Sequence, residues 1–303
     1  MKIRIATRLS PLAMLQTNEV IEKIKLHDSA CVCEIVKIES EGDLTDKPLH
    51  MIGGKGLFVS KLENALDQGL ADIAVHSLKD VPAFINPKFT IAATLPREAV
   101  GDALLLREGL TKDDLSKNLK IGTSGPRRKA QLLSINSNLD IVPIRGNIQT
   151  RINKIKTDDL DGLIVAKAAL NRLKITHNNC YLFTEEQILP AAAQGAIGIE
   201  INSSKISSSM SHLIKLLNDK LTYEATAIER IIVASLEGNC LSPISVLCKI
   251  DNQIAEVKVR LSNQSGNEVY NERMSFELKD QKNALEDLIN KLIRNGAKEI
   301  IQR

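Results

Sequence analysis

Three kinds of residue in this 303-residue chain could do chemistry: a cysteine in a turn, a set of arginines, and one carboxylate among them. Cys240 sits in "LEGNCLSPIS", beside Gly238 and Asn239 and just ahead of Pro243. A small residue in a tight loop explains it; so does a thiol placed to be reached by a reactant. The arginines follow segments that read as strands. Arg8 comes after "KIRIAT", Arg127 and Arg128 after "KIGTSGP", Arg145 and Arg151 after "IVPI", and Lys167 and Arg172 after "GLIVA". In open parallel α/β sheets, ligands bind beyond the carboxyl ends of the strands. From Lys120 to Ile175 there are eleven Lys and Arg against four Asp, a local excess of +7. A solvated basic face is one reading. However, Arg127 and Arg128 fall in the first turn of a helix, where the partial positive charge disfavours cations. An anion site of N–H and guanidinium groups fits them better, and on that reading Leu at either position leaves the fold intact or slightly more stable. There is no G-x-G-x-x-G or Walker-type lysine motif to suggest a nucleotide. Asp80, in "ADIAVHSLKDVP", is either a turn aspartate before a proline or the one carboxylate able to stabilise a cation or move a proton among these bases. His76 reads as structural.

The elements that must hold these groups alternate. "KIRIAT", "VCEIVKI" and "ADIAVH" read as strands, and "PLAMLQTNEVIEKIKLH" and "LFVSKLENALDQ" as amphipathic helices. Ser10 is the expected N-cap of the first helix, with Pro11 at its first position. A second alternating series begins near residue 102, with strands at "KIGT", "IVPIR" and "GLIVA". Such alternation predicts two α/β units with mostly parallel sheets. Past residue 219 a long helix is followed by strands at "ISVLCKI", "AEVKVRL" and "EVYNERMSFEL", then by one final helix over "ALEDLINKLIRNGAKEII". Consecutive strands with flanking helices predict a separate α+β domain. The serine-rich "NSSKISSSMS" suits a flexible link or a helix start equally.

Composition narrows the function classes. No apolar run approaches the roughly 20 residues that cross a bilayer, and the start lacks the pattern of a secretory signal, so no membrane partner and a cytoplasmic location are expected. Five cysteines in such a chain do not suggest a disulfide framework. Cys31 and Cys33 are expected on opposite faces of a strand, and no His pair at helix spacing supports them, so no metal site is expected. With no Trp and 3% aromatic residues, the chain lacks base-stacking platforms, so no nucleic acid is expected. A non-catalytic anion receptor of two domains remains a competing class. It leaves Cys240 and the third domain unexplained.

"IATRLSPLA", "GGKGLF", "ADIAVHSLKDVP", "GTSGPRRKAQL", "IRGNIQTR", "LPAAAQGAIGIE" and "LEGNC" occur in this order along nearly the whole chain. Together they resemble the hydroxymethylbilane synthase (porphobilinogen deaminase) family of tetrapyrrole and haem biosynthesis. The resemblance implies two periplasmic-binding-protein-like α/β domains around an active cleft plus a C-terminal α+β domain. The boundaries expected are 1–95 with 196–213, 101–190, and 218–303. It implies a monomeric transferase that joins four porphobilinogen molecules, each losing ammonia, on a dipyrromethane cofactor held by Cys240 through a thioether. Loss of ammonia leaves a cationic methylene-pyrrolenine, which Asp80 would stabilise as the catalytic carboxylate. The resemblance assigns Lys79, Asp80, Thr123, Ser124, Arg127, Arg128 and Arg145 to the cofactor. It assigns Arg8, Ser10, Arg145, Arg151, Arg172 and Gln194 to the substrate, and Lys55 and Phe58 to a lid loop. Gly125, Met51 and Asn239 depart from the family pattern, which often has serine, lysine and glycine there. At 239, asparagine is expected to tolerate the left-handed backbone.

Overall fold

The computed structural model describes residues 1–39, 59–157, 160–239 and 241–303; Met51, Lys55, Phe58 and Cys240 lie outside them. In chain order the elements begin with β1 (Lys2–Arg8), α1 (Pro11–His27), β2 (Val32–Ile38), α2 (Ser60–Asp67), β3 (Ile73–Ser77), β4 (Phe89–Thr94) and β5 (Asp102–Leu106). Next come β6 (Lys120–Gly122), α3 (Pro126–Ile135), β7 (Asp140–Val142), α4 (Ile148–Thr157), β8 (Gly162–Ala166), α5 (Lys167–Arg172), β9 (Cys180–Leu182) and β10 (Ile197–Asn202). The chain ends with α6 (Ser208–Leu217), α7 (Lys220–Ser235), β11 (Ile244–Asp251), β12 (Ile254–Ser262), β13 (Val269–Glu277), α8 (Gln281–Arg294) and α9 (Ala297–Gln302). It divides into two units, Met1–Glu98 with Gly195–Glu224, and Ala99–Gln194 with Ala225–Arg303.

The first unit is a five-stranded sheet in the order β2-β1-β3-β10-β4. Period-two alternation sends Ile3, Ile5, Ile73 and Val75 to one face, where Val20 and Ile24 of α1 and Met210, Leu213 and Ile214 of α6 cover them. Ala6 and Ala74 face the other side, against Leu62, Ala65 and Leu66 of α2. Each fully buried Ile or Leu contributes about 1.5–3 kcal/mol of transfer free energy, so a sheet covered on both faces needs no further staple. Ser10 caps α1 by accepting a bond from the Ala13 N–H at 3.3 Å. The serine-rich stretch resolves to a helix start, with Ser207 capping α6. Cys31 and Cys33, expected on opposite faces, are packed against the same core. Residues two apart in a strand share a face.

The second unit repeats the plan with the order β7-β6-β8-β5-β9. Leu104 and Leu106 of β5 join the core under α3, while Ala103 and Leu105 join the core under α4 and α5. The same unit holds the antiparallel sheet β11-β12-β13. Val246, Cys248, Val257 and Val259 of that sheet pack on Ile228 and Ile232 of α7 and on Leu285, Leu288 and Leu292 of α8.

The α/β class with a C-terminal α+β segment therefore holds, with a refinement of the strand directions. In each five-stranded sheet four strands run one way and one runs against them. β10 is antiparallel to β3 and β4, and β5 is antiparallel to β8 and β9. Each reversed strand is the first after the chain passes from one unit to the other, at 98/99 and 194/195. The single final helix expected from the sequence is two, because Gly296 takes a left-handed φ of 76° and stops α8.

Gly238 closes the junction between α7 and β11. A Cβ there would press on Ile244 Cδ1 and lie 3.2 Å from the Val233 carbonyl oxygen. Gly238→Ala is expected to lower stability by about 1–3 kcal/mol, the usual cost of overpacking. A shift of the urea unfolding midpoint measures it, and an unchanged midpoint refutes the close approach.

Candidate active site

Parallel pairing of β1 with β3 brings their carboxyl ends side by side. Ser77 ends β3, and Leu78–Asp80 forms a 3-10 turn directly after it. A pocket of about 70 Å³ at this edge is lined by Arg8, Ser10, Gln16, His76, Ser77 and Asp80, among others. Asp80 is exposed and Arg8 half-buried. Ser77 Oγ donates to Gln16 Oε1 at 2.9 Å, which ties the end of β3 to α1. The carboxylate and one of the arginines selected from the sequence thus face a common space. Lys79 lies in the same turn.

In the second unit, β6 is parallel to β7 and β8, so Thr123, Arg145 and Lys167 follow strand ends at one edge. Ser124 Oγ donates to the Ile144 carbonyl at 2.5 Å and accepts from the Ile144 N–H at 2.9 Å. These two bonds lock the loop after β6 to the loop after β7. Thr123 Oγ1 accepts from the Gly125 N–H at 3.2 Å, just ahead of α3. A Cβ at Gly125 would meet only ordinary contacts, Thr123 Oγ1 at 3.8 Å and Arg128 Cδ at 3.9 Å. A serine at this position would have room for its Cβ. Arg151, in α4, donates from Nε to the Gly146 carbonyl at 2.7 Å, and Arg172 ends α5.

Arg127 and Arg128 have a partner that the sequence reading missed. Asp102 starts the reversed strand β5, and reversal delivers its first residue to the edge where β6 and β8 deliver their last. Its side chain is 0% exposed. Arg127 Nη2 donates to Asp102 Oδ2 at 2.7 Å, and Arg128 Nη2 to Oδ1 at 2.7 Å. Arg127 also donates to the Leu189 carbonyl at 2.8 Å. Gln194 Nε2 reaches Asp102 Oδ1 at 3.1 Å and the Val100 carbonyl at 2.7 Å. Burial raises the Asp102 carboxyl, but the two guanidinium groups outweigh it and hold the group far below the usual carboxylate range. Burial lowers the Arg127 guanidinium, and Asp102 opposes that. "GDALLL" shows a charge at the head of an apolar run, but nothing local names partners 25 and 26 residues later.

Around Cys240, the described neighbours form an Asx turn. Asn239 Oδ1 accepts from the Leu241 N–H at 2.8 Å, and the Asn239 N–H donates to Ser242 Oγ at 3.2 Å. Among the described residues of this junction, Glu237 takes the left-handed backbone, with φ 56°. Asparagine at 239 therefore contributes a side-chain bond that glycine cannot make. Nearby, Glu229 of α7 is fully buried and accepts from the Ala193 N–H at 2.6 Å and the Cys248 N–H at 2.8 Å. No helix among the described residues is long and apolar enough to cross a membrane.

The expectation that Leu at 127 or 128 leaves the fold as stable or more stable is reversed by Asp102. Arg127→Leu and Asp102→Asn each strand a buried charge, and each is expected to lower stability by about 3–5 kcal/mol. Asp102 has a depressed folded pKa, so its contribution is fully present above the unfolded carboxylate value and is lost as pH falls through the folded value. The stability difference between the parent and Asp102→Asn should stay flat from about pH 8 to about pH 5 and shrink below about pH 4. Denaturant titrations across that range check it, and a gap that closes between neutrality and about pH 5 rejects the ionised, arginine-held carboxylate.

The family model described as porphobilinogen deaminase, dipyromethane cofactor binding domain, matches residues 3–209. A porphobilinogen deaminase of Campylobacter jejuni subsp. jejuni serotype O:23/36 (strain 81-176) is 40% identical, covering 100% of this chain and 98% of that one. One from Campylobacter curvus (strain 525.92) is 36% identical, covering 99% and 97%. Among solved structures, the BenM effector binding domain with benzoate aligns with 16% identity and a TM-score of 0.44, covering 74% of this chain and 93% of that one.

Proposed function

The chain belongs to the porphobilinogen deaminase family, and from that premise we propose how its residues divide the work. The reaction is a transferase reaction: four porphobilinogen molecules condense with loss of ammonia into the linear tetrapyrrole hydroxymethylbilane, starting from a dipyrromethane cofactor. When bound, that cofactor supplies the free α-carbon from which the chain is extended. Cys240 is the residue we assign to hold it, through a thioether.

The donor chemistry of the described residues suits a group that carries acetate and propionate side chains. In the second unit, the Thr123 hydroxyl and guanidinium groups at Arg128 and Arg145 are the partners carboxylates take, and Ser124, whose proton goes to the Ile144 carbonyl, shapes the loop beside them. Arg127 acts from behind in this reading. Its bonds to Asp102 and Leu189 fix Asp102, and Asp102 fixes Arg128. Arg151, Arg172 and Gln194 are assigned to the substrate, with Gln194 held by Val100 and Asp102. In the first unit, Lys79 and Asp80 are assigned to the cofactor, and Arg8 and Ser10 to the substrate. Lys55 and Phe58 are assigned to a lid loop. The proposed domains are 1–95 with 196–213, 101–190, and 218–303. What supports them is that each has its own sheet and core. The proposed working form is a cytoplasmic monomer without membrane or nucleic-acid partner.

Asp80 carries the chemistry in this proposal. Its support is one observation: an exposed carboxylate faces a pocket that also holds Arg8 and Ser10. Departure of ammonia leaves positive charge on the pyrrole. Guanidinium groups hold carboxylates but oppose that charge, so a carboxylate must stabilise it and accept the proton released on condensation. Asp80→Asn keeps the size and removes charge and acceptor together. A cofactor-loaded, folded variant is expected to lose a factor of roughly 10² to 10⁴ in turnover of porphobilinogen. Activity within about tenfold of the parent excludes Asp80 as the catalytic carboxylate. Thermal stability should change little, because the group is exposed.

The cofactor assignment has its own test. Intact mass of freshly purified protein is expected to exceed the polypeptide by one dipyrromethane, and Cys240→Ser should remove the excess mass and the activity together. Active protein at the bare polypeptide mass overturns it.

A further inference from the structure

Below the Asp80 pocket lies a carboxylate that the proposed chemistry does not use. Glu200, on the reversed strand β10, is 0% exposed. Its Oε2 is 2.9 Å from His76 Nε2, while its Oε1 is buried without a hydrogen-bond partner among the described residues. A buried carboxylate with one bond is costly, and an apolar residue of similar volume serves a sheet core better. Glu63 of α2 adds to the cost, since burial and the nearby Glu200 charge both raise its carboxyl. Such a group needs a reason. His76 supplies one. The residue is 6% exposed and is one of those lining the same pocket as Asp80, Arg8 and Ser77. A carboxylate only accepts, so a singly protonated ring bonded to Glu200 carries its proton on Nε2 and presents Nδ1 as an acceptor.

We propose that Glu200 is a positioning residue that fixes the Nε2–H tautomer of His76, so that Nδ1 faces the pocket as the acceptor for an N–H group of porphobilinogen. This rests on the reading of the pocket as the substrate site. Asp80 then meets developing positive charge while Nδ1 of the ring accepts a directed bond, and the two groups together orient the substrate. A purely structural histidine does not need its second nitrogen kept vacant at a pocket wall.

Nitrogen-15 NMR of the cofactor-loaded enzyme, labelled at histidine, reads the tautomer without reference to activity. His76 should appear protonated at Nε2, and Glu200→Gln, which can donate as well as accept, should mix or invert the tautomers. Steady-state kinetics should show His76→Leu and Glu200→Gln raising KM for porphobilinogen about 3- to 100-fold, the range spanned by a lost bond to a neutral or a charged donor, with a smaller change in kcat. His76→Asn, which places an amide oxygen near the Nδ1 position, should recover part of that loss. A porphobilinogen analogue methylated on the ring nitrogen locates the donor. If His76→Leu no longer weakens its binding, the ring N–H is the partner; if the weakening persists, the aminomethyl group is. An Nδ1-protonated ring in the parent, or folded His76→Leu with KM and kcat within about twofold of the parent, overturns the inference. Failure of the broader reading looks different: the parent itself then carries no dipyrromethane mass and consumes no porphobilinogen.

Discussion

Asp102 with its two arginines is the interaction on which the second unit's functional edge depends. A carboxylate at 0% exposure is tolerable only when paired and hydrogen-bonded. Here Arg127, Arg128 and Gln194 all reach it. The pairing also resolves a local conflict. Two cations in the first turn of α3 oppose the helix dipole, and Asp102 offsets that cost from a neighbouring strand. One carboxylate therefore sets the start of a helix, the orientation of Arg128, and the position of Gln194 just before the chain leaves the unit.

The first unit uses the same device with different chemistry. Its reversed strand, β10, also brings a fully buried carboxylate, Glu200, and that carboxylate meets His76. In both sheets the charged residue arrives on the strand that runs against its neighbours. Four strands running together place their carboxyl ends at one edge, and the fifth runs against them, bringing Asp102 from its first residue and Glu200 from mid-strand. This doubles the kinds of side chain that can be anchored behind a strand-end site. Asp102 faces permanent cations and makes a rigid triad. Glu200 faces a ring with two distinct nitrogens, and so directs a tautomer.

The C-terminal segment depends on steric closeness more than on charge. Gly238 leaves room for Ile244, and Asn239 and Ser242 hold the turn on either side of residue 240. Glu229 joins α7 to the middle of β11 and to Ala193 through two backbone N–H groups. In the proposed chemistry these contacts flank the residue that carries the growing chain.

The sequence by itself determined the elements and most of the functional residue types. Helical spacing in "PLAMLQTNEVIEKIKLH", period two in "AEVKVRL", the Ser10-Pro11 cap and the ordered motifs are local, and local pattern is what a sequence displays. It also placed Asp80 and the arginines after strands, because strand ends are visible as the end of an apolar run. The partners of those residues were not legible. Asp102 lies 25 residues before Arg127, and Glu200 lies 124 after His76. Strand direction was hidden as well, since "DALLL" and "IGIEIN" read alike whichever way the chain enters the sheet. The reason is the same in each case. Pairing across a sheet, and the burial that makes a charge expensive, exist only once distant segments are side by side. Tertiary structure therefore decided which cations are spent on the fold and which histidine nitrogen is left for a ligand.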